Sequence, residues 1–271
     1  MHAASREALN KAAEHLDNTI QDGNVVATAA QTGIELFEVV DTLDDDRTLR
    51  IAVSDPSVEA EQRTGIVERL YGGKIAEPTL SVLKEVARQQ WSTTREFRDG
   101  LVELGRRSLL RGAEAQGQLE QVEEELFQLS RLLDREGKLT QLLSDRTAES
   151  SAKRGLLANV LYGKVTMFTE ALSLQVIGRP DKNPIDDIAG IAEQAAQLRN
   201  RSVAHVVAAE ELNEGQQASL AEKLGQIYGR DMSIHTEVDA SLLGGVVVRV
   251  GDEIIDGSTR NHIERLRAAL A

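Results

Sequence analysis

The chain has 271 residues, 44 acidic against 31 basic, for a formal charge of −13, with no cysteine and 3% aromatic residues. That balance excludes a broad nucleic-acid surface, which needs cations to displace counterions, and direct docking on anionic lipid. Without cysteine there is neither a disulfide framework nor a thiolate metal site, and no run reaches the roughly 18 apolar residues of a membrane span.

The first two hundred residues read mostly as helix. The stretch from Met1 to Leu16 has no apolar signal core. Leu9, Ala12, Leu16 and Ile20 recur at helical spacing, with Arg6, Lys11, Glu14 and Asp17 on the other faces. Asp55-Pro56 marks a loop. Ile66 to Tyr71 reads as a helix end, stopped by Gly72-Gly73-Lys74. Trp91 and Phe97 are packing residues by their setting. Leu119, Val122, Leu126, Leu129 and Leu133 form a second long apolar stripe. Gly178 to Pro184 (GRPDKNP) is the next clear loop, and Asp186 is expected to begin a helix through Ile191, Ala195 and Leu198.

Leu36 to Lys74 aligns without gaps on Leu126 to Lys164, with about eleven identities in roughly forty positions. Leu36-Phe37 matches Leu126-Phe127, Leu43-Asp44 matches Leu133-Asp134, and Leu49 matches Leu139. Ser54-Asp55 matches Ser144-Asp145, Glu59 matches Glu149, Gly65 matches Gly155, and Gly73-Lys74 matches Gly163-Lys164. Two hairpins made alike by composition would match at apolar positions; here loop residues match too. The reading is two helical bundles in tandem, sharing or abutting through a helix near Asp99 to Gln116.

From Arg201 the period changes. Val203, Ala204, Val206 and Val207 suggest a strand, Glu214 to Tyr228 a helix stopped by Gly229. Met232, Ile234, Thr236 and Val238 alternate with Ser233, His235 and Glu237, as in a strand with one buried face. Val246 to Val250 and Glu253 to Asp256 flank Gly251-Asp252, a tight-hairpin signal. Ser258 or Thr259 caps a last helix with Ile263, Leu266 and Leu270 inward. The expected fold is mainly α: bundles at 1–105 and 106–200, then a small α/β domain at 201–271.

Little here suggests chemistry. His2, His15, His205, His235 and His262 form no i, i+4 pair. Gly72-Gly73-Lys74 lacks the spaced glycine, the following Ser or Thr and the preceding strand of a phosphate loop. Gly244-Gly245 and Gly251 do not open a helix as a dinucleotide fingerprint would, and no G-x-S-x-G elbow occurs. Asp44-Asp45-Asp46 and Glu123-Glu124-Glu125 read as solvated helix faces. No cofactor, metal or catalytic residue is assigned. An enzyme holding a nucleotide on the glycine-rich tail and a helix-binding scaffold both remain as readings at this level.

The segment Val238 to Arg260 (VDASLLGGVVVRVGDEIIDGSTR) carries a resemblance. Asp239, Gly244, Gly245, Gly251, Asp252, Asp256, Gly257 and Ser258, followed by Arg260, are similar to the C-terminal signature of the F-type ATP synthase delta subunit, or oligomycin-sensitivity-conferring protein, family. Asp145 to Val165 and Asp55 to Ile75 both resemble that family's helical segment, so the likeness spans nearly the whole chain. Pro is common in the family where Ala240 stands here. Ordinary members have one N-terminal bundle; two resemble actinobacterial forms, and the lack of a membrane-anchored b-like segment resembles an unfused one.

The resemblance implies a non-catalytic stator subunit on the cytoplasmic face of the cell membrane. It would join the N-terminal helices of the alpha subunits to the C-terminal region of the b subunit and resist rotor torque. Leu9, Ala12, Ala13 and Leu16 are the expected alpha-facing residues, and Arg260, Arg265 and Arg267 the expected b-facing ones. Such bundles take partner helices in apolar grooves. A scaffold for another complex is the alternative.

Overall fold

A computed structural model describes residues 1–21, 24–145, 147–198, 201–228, 231–242, 244–250, 253–259 and 261. Eleven helices come first among them: α1 (Ala3–Ile20), α2 (Val25–Asp45), α3 (Arg47–Ser54), α4 (Ala60–Tyr71), α5 (Glu77–Arg88), α6 (Thr94–Ala115), α7 (Leu119–Arg135), α8 (Gly137–Ser144), α9 (Ser150–Leu161), α10 (Met167–Gly178) and α11 (Pro184–Leu198). Short polar side chains begin several of them. Asn24, Asp46, Thr93 and Thr166 each accept the backbone N–H three residues on, which satisfies one of the unpaired donors of the first turn.

α11 begins two residues before Asp186. Asn183 is its cap: the Asp186 N–H donates to Asn183 Oδ1 at 2.9 Å, and Asn183 Nδ2 donates to Asp186 Oδ2 at 2.7 Å. Pro184 follows as the first helical residue, where its missing N–H costs nothing. The expected start at Asp186 mistook the third residue of the turn for the first.

The ninety-residue offset of the sequence repeat reappears in the helix boundaries. α3, α4 and α5 correspond end for end with α8, α9 and α10, while α2 corresponds with α7. α4 ends before Gly73 (φ +71°) and α9 before Gly163 (φ +68°), a left-handed conformation that glycine adopts without strain. The same offset sends α1 onto α6 and α6 onto α11. Helix α6 therefore stands last in one set of six helices and first in the next.

Packing follows this correspondence. α1 lies on α5 and α6, and α2 on α6; in the second set α6 meets α10, and α7 lies on α11. Leu16, Leu36, Leu83, Trp91 and Phe97 belong to one core cluster. Leu126, Leu157, Phe168, Leu172 and Ile191 belong to another, which also takes in Phe37 and Leu109. Gly105 of α6 makes this double packing possible: a Cβ there would lie 2.5 Å from Phe37 Cε1. Trp91 and Phe97 are core residues, meeting edge to face at 5.9 Å between centroids.

The remaining elements are β1 (Arg201–Ala208), α12 (Glu214–Tyr228), β2 (Asp231–Val238), a short 3-10 turn at Ala240–Leu242, β3 (Val246–Val250) and β4 (Glu253–Asp256). The sheet order is β2-β1-β3-β4, with β1 and β2 parallel and the other pairs antiparallel. A parallel neighbour needs a crossover, which α12 supplies. Ala204, Val206, Met232, Val248 and Val250 pack with Leu224 of α12.

One expectation fails here. The alternation in β2 predicts that Ser233, His235 and Glu237 face water, yet His235 is 2% exposed. The reason is that α7 covers the second face of the sheet, so the polar side of β2 points into a contact with the helical body.

Candidate functional site

Three places were expected to matter, and two of them lie among the described residues. In the tail, the signature residues hold the backbone together. Gly244 (φ +135°) and Gly245 (φ +80°) sit in conformations that side chains rarely adopt, and a Cβ on Gly245 would lie 2.3 Å from the Gly257 carbonyl oxygen. Gly257 N–H donates to Val246 O at 2.9 Å, and Thr259 N–H to Gly244 O at 2.9 Å. Asp239 accepts the Ser241 N–H, and Asp256 the Ser258 N–H, each at 2.9 Å. The hydroxyl and N–H of Ser258 hold the Asp256 carboxyl below its ordinary value. Ser258 is 3% exposed, and its Oγ accepts the Asn261 N–H, as a cap should. β3 and β4 pair from Val250 and Glu253 outward, which leaves a two-residue connection. Gly251 and Asp252, which fill it, lie outside the described residues.

On α1, Ala12 and Leu16 have no exposed surface and belong to the core. Leu9 and Ala13 are half-buried beside them. The neighbouring polar face is also engaged. Asp17 pairs with Arg107 at 2.6 Å and Arg111 at 2.8 Å on α6. Burial opposes ionisation of Asp17, and the hydrogen bonds from the two arginines outweigh it, so the carboxyl sits below its usual range. The proposed b-facing residues Arg260, Arg265 and Arg267 lie outside the described residues, as do Ile263, Leu266 and Leu270.

A further contact was not anticipated. Glu123, Phe127 and Arg131 recur every four residues along α7 and form one stripe against the sheet. The run Glu123-Glu124-Glu125 is not a uniformly solvated face. Glu123 is 1% exposed, accepts from Ser233 Oγ, and lies 3.0 Å from His235 Nε2. Glu125 accepts the Thr166 N–H at 2.9 Å and the Thr169 hydroxyl at 2.6 Å. Asp44 likewise lies beside Arg98 and Arg179, at 3.4 Å from each.

Around the stripe, the Phe127 ring stands 4.1 Å from the His235 centroid and 5.3 Å from that of His205. The two imidazoles are 5.9 Å apart, edge to face. Arg131 pairs with Glu237, and Arg135 lies 3.6 Å from the same carboxylate. A cavity of about 270 Å³ remains, lined by Phe127, Arg131, His205, His235 and Arg249 among others. Burial above all pushes the His205 imidazole down to about 4, with His235, Arg249 and Arg131 adding to it. No local period could reveal this contact, because its halves lie 110 and 112 residues apart in sequence.

A larger cavity, of about 690 Å³, opens where α6, the end of α10 and α11 meet; Arg98, Arg106 and Arg179 line it. Arg179 ties the two sets of helices together: it donates to Phe37 O at 3.0 Å and pairs with Asp41 and Asp44 of α2. Burial lowers its guanidinium to about 10. Among the described residues, no three His, Asp or Glu side chains converge as a metal site would require.

The family described as ATP synthase delta (OSCP) subunit matches residues 107–270 of the chain. An ATP synthase subunit delta of Corynebacterium efficiens is 65% identical over 271 residues, covering 100% of this chain and 99% of that one. The subunit delta of Corynebacterium glutamicum is 66% identical over the full length of both chains. That of Corynebacterium diphtheriae is 60% identical, again over 100% of each. A chain of the Toxoplasma gondii mitochondrial ATP synthase hexamer is 17% identical with a TM-score of 0.37, over 61% of this chain and 94% of that one; at that score the likeness carries no argument.

Proposed function

The chain belongs to the ATP synthase delta (OSCP) subunit family, whose members are structural subunits, and on that premise we propose that it is a stator adaptor of the F-type enzyme. In this reading it holds the N-terminal helices of the alpha subunits through its helical part and the C-terminal region of the b subunit through its sheet domain. It resists the torque that rotation applies to the catalytic head. The chain lies at the cytoplasmic face of the membrane and is held there by its partners. No helix among the described residues is long and apolar enough to cross a membrane.

The observation that carries this reading is the full-length identity of 65–66% to delta subunits. The family match begins at residue 107, within α6. The second bundle therefore takes the role of the family's single bundle, and the first, with its boundary near residue 105, is an addition on the head side. Of the four alpha-facing residues expected on α1, Leu9 and Ala13 keep surface for an outside helix. Ala12 and Leu16 would serve by holding that surface in place.

Calorimetric titration of the full chain with a peptide copying the N-terminal helix of the partner alpha subunit tests this. Saturable binding is expected. A second peptide, copying the C-terminal end of the b protein, is expected to bind as well, even after saturation with the first. Failure of both peptides to bind would exclude the stator reading. Competition between the two for one surface would exclude the division of labour between bundle and sheet.

A further inference from the structure

We infer that the contact between the sheet and α7 is an acid-sensitive clasp, closed while His205 is uncharged and released when that imidazole takes up a proton. The inference concerns the chain alone and does not depend on which partners it holds.

His205 points from β1 toward α7 and lines the cavity beside Phe127. The groups facing it come from three elements. From α7 there are Glu123 and Arg131, from β2 His235 and Glu237, and from β3 Arg249. Both carboxylates are already engaged. Glu123 is held by His235 and Ser233, and Glu237 by Arg131 and Arg135. A proton arriving on His205 thus meets the guanidinium of Arg131, held in place by Glu237, the exposed one of Arg249 and a second imidazole, in a half-buried site. The closed state tolerates the neutral ring, tilted against Phe127, and not the cation.

The linkage has a definite sign. When the sheet is released, His205 meets water and titrates near 6.5; when it is docked, the imidazole is pushed down to about 4. Above pH ~6.5 neither state is charged and docking is at full strength. As pH falls from there toward 4, the released state binds the proton first, and the docking equilibrium weakens by up to about tenfold per pH unit. Below 4 both states are protonated and the effect levels off. The released sheet keeps its own core, since Ala204, Val206, Leu224, Met232 and Val248 pack without α7.

The chain has no cysteine, so spin labels can be placed at will. Lys138→Cys on α8 and Ala218→Cys on α12 put one label on the exposed surface of each side of the clasp. Pulsed electron-paramagnetic distance measurements on the full chain, from pH 7.5 to pH 5, read docking directly. One narrow distance is expected at pH 7.5. A broad second population should grow in below pH 6.5, with far-UV circular dichroism unchanged. His205→Phe, which keeps a ring against Phe127 and cannot be charged, should hold the narrow distance throughout, and His205→Gln gives a second neutral variant. Repeating the scan in a Phe127→Leu background brings even rare opening into range. A distance that stays narrow to pH 5 in that background overturns the inference. So does opening of both neutral variants along the wild-type curve.

Discussion

In the first bundle, the corner where the loop before α4 meets the C-terminal end of α5 is held by Arg63. Its guanidinium donates to the carbonyls of Ala87 at 2.8 Å, Asp55 at 2.9 Å, Val58 and Arg88 at 3.1 Å, and Gln89 at 3.2 Å. In the second bundle Lys153 stands at the equivalent place and, among the described residues, donates to Asp145 O alone, at 3.2 Å. Both side chains are buried. A planar fork with five N–H groups can gather several chain ends at one point; an ammonium on a flexible stem cannot. The same fold is thus fastened unequally in its two copies, and the first corner is the tighter.

Elsewhere the copies agree closely. Glu35 accepts the Ala76 N–H at 3.0 Å and the Thr79 hydroxyl at 2.5 Å. Glu125 does the same with Thr166 and Thr169. Asp55 accepts the N–H and hydroxyl of Ser57, and Asp145 those of Thr147. In both loops the hydroxyl and N–H hold the carboxyl below its ordinary range. These are fastenings of the helical hairpin itself, independent of what the bundle touches.

The largest effect that would break this comparison lies at the corner. Arg63→Met leaves several buried carbonyls without a donor and should cost about 3 kcal/mol or more, whereas Lys153→Met should cost about 1 kcal/mol. Urea unfolding of the two variants measures both; equal losses would mean that the extra bonds of Arg63 are energetically idle. A middle-sized effect tests the agreement. Glu35→Gln and Glu125→Gln should each lose about 1–2 kcal/mol, and nearly the same amount.

Trp91, the sole tryptophan, sits in the first core and donates to Val86 O at 2.9 Å. Its fluorescence therefore follows that bundle, while circular dichroism follows both. The smallest effect concerns Asp17, which ties α1 to α6 in the first copy; the equivalent position in the second is Arg107. Because its folded value is lowered, its stabilisation is complete above the ordinary carboxylate range near pH 4 and is lost as pH falls through the folded value. Asp17→Asn should flatten the acid limb seen by Trp91 fluorescence and leave the circular-dichroism limb of the second bundle in place.

Much of this was legible in the sequence, and the reasons differ by element. The apolar stripes of α1 and α7, the Gly73 and Gly163 stops and the strand-helix-strand order of the tail are local patterns, readable in a short window. The repeat could be followed from Leu36 to Lys74, but Glu35 and Thr79 lay just outside that span. Their pairing is polar and joins residues 44 positions apart, so no hydrophobic period points to it. The two-sided burial of β2 was misread for a related reason. Alternation tells which side chains share a face, and it does not tell whether a helix from elsewhere covers the polar one. His235 and Glu123 each look ordinary alone and become informative only as a pair.

The shared helix has a mechanical consequence. Domains joined by a loop bend at the loop, but here the two bundles have one 22-residue helix in common, a rod of roughly 33 Å. Any rotation of one bundle against the other must strain an unbroken ladder of backbone hydrogen bonds. The pair should therefore behave under load as a single stiff beam, and a third unit could be added in the same way with five more helices and no new joint.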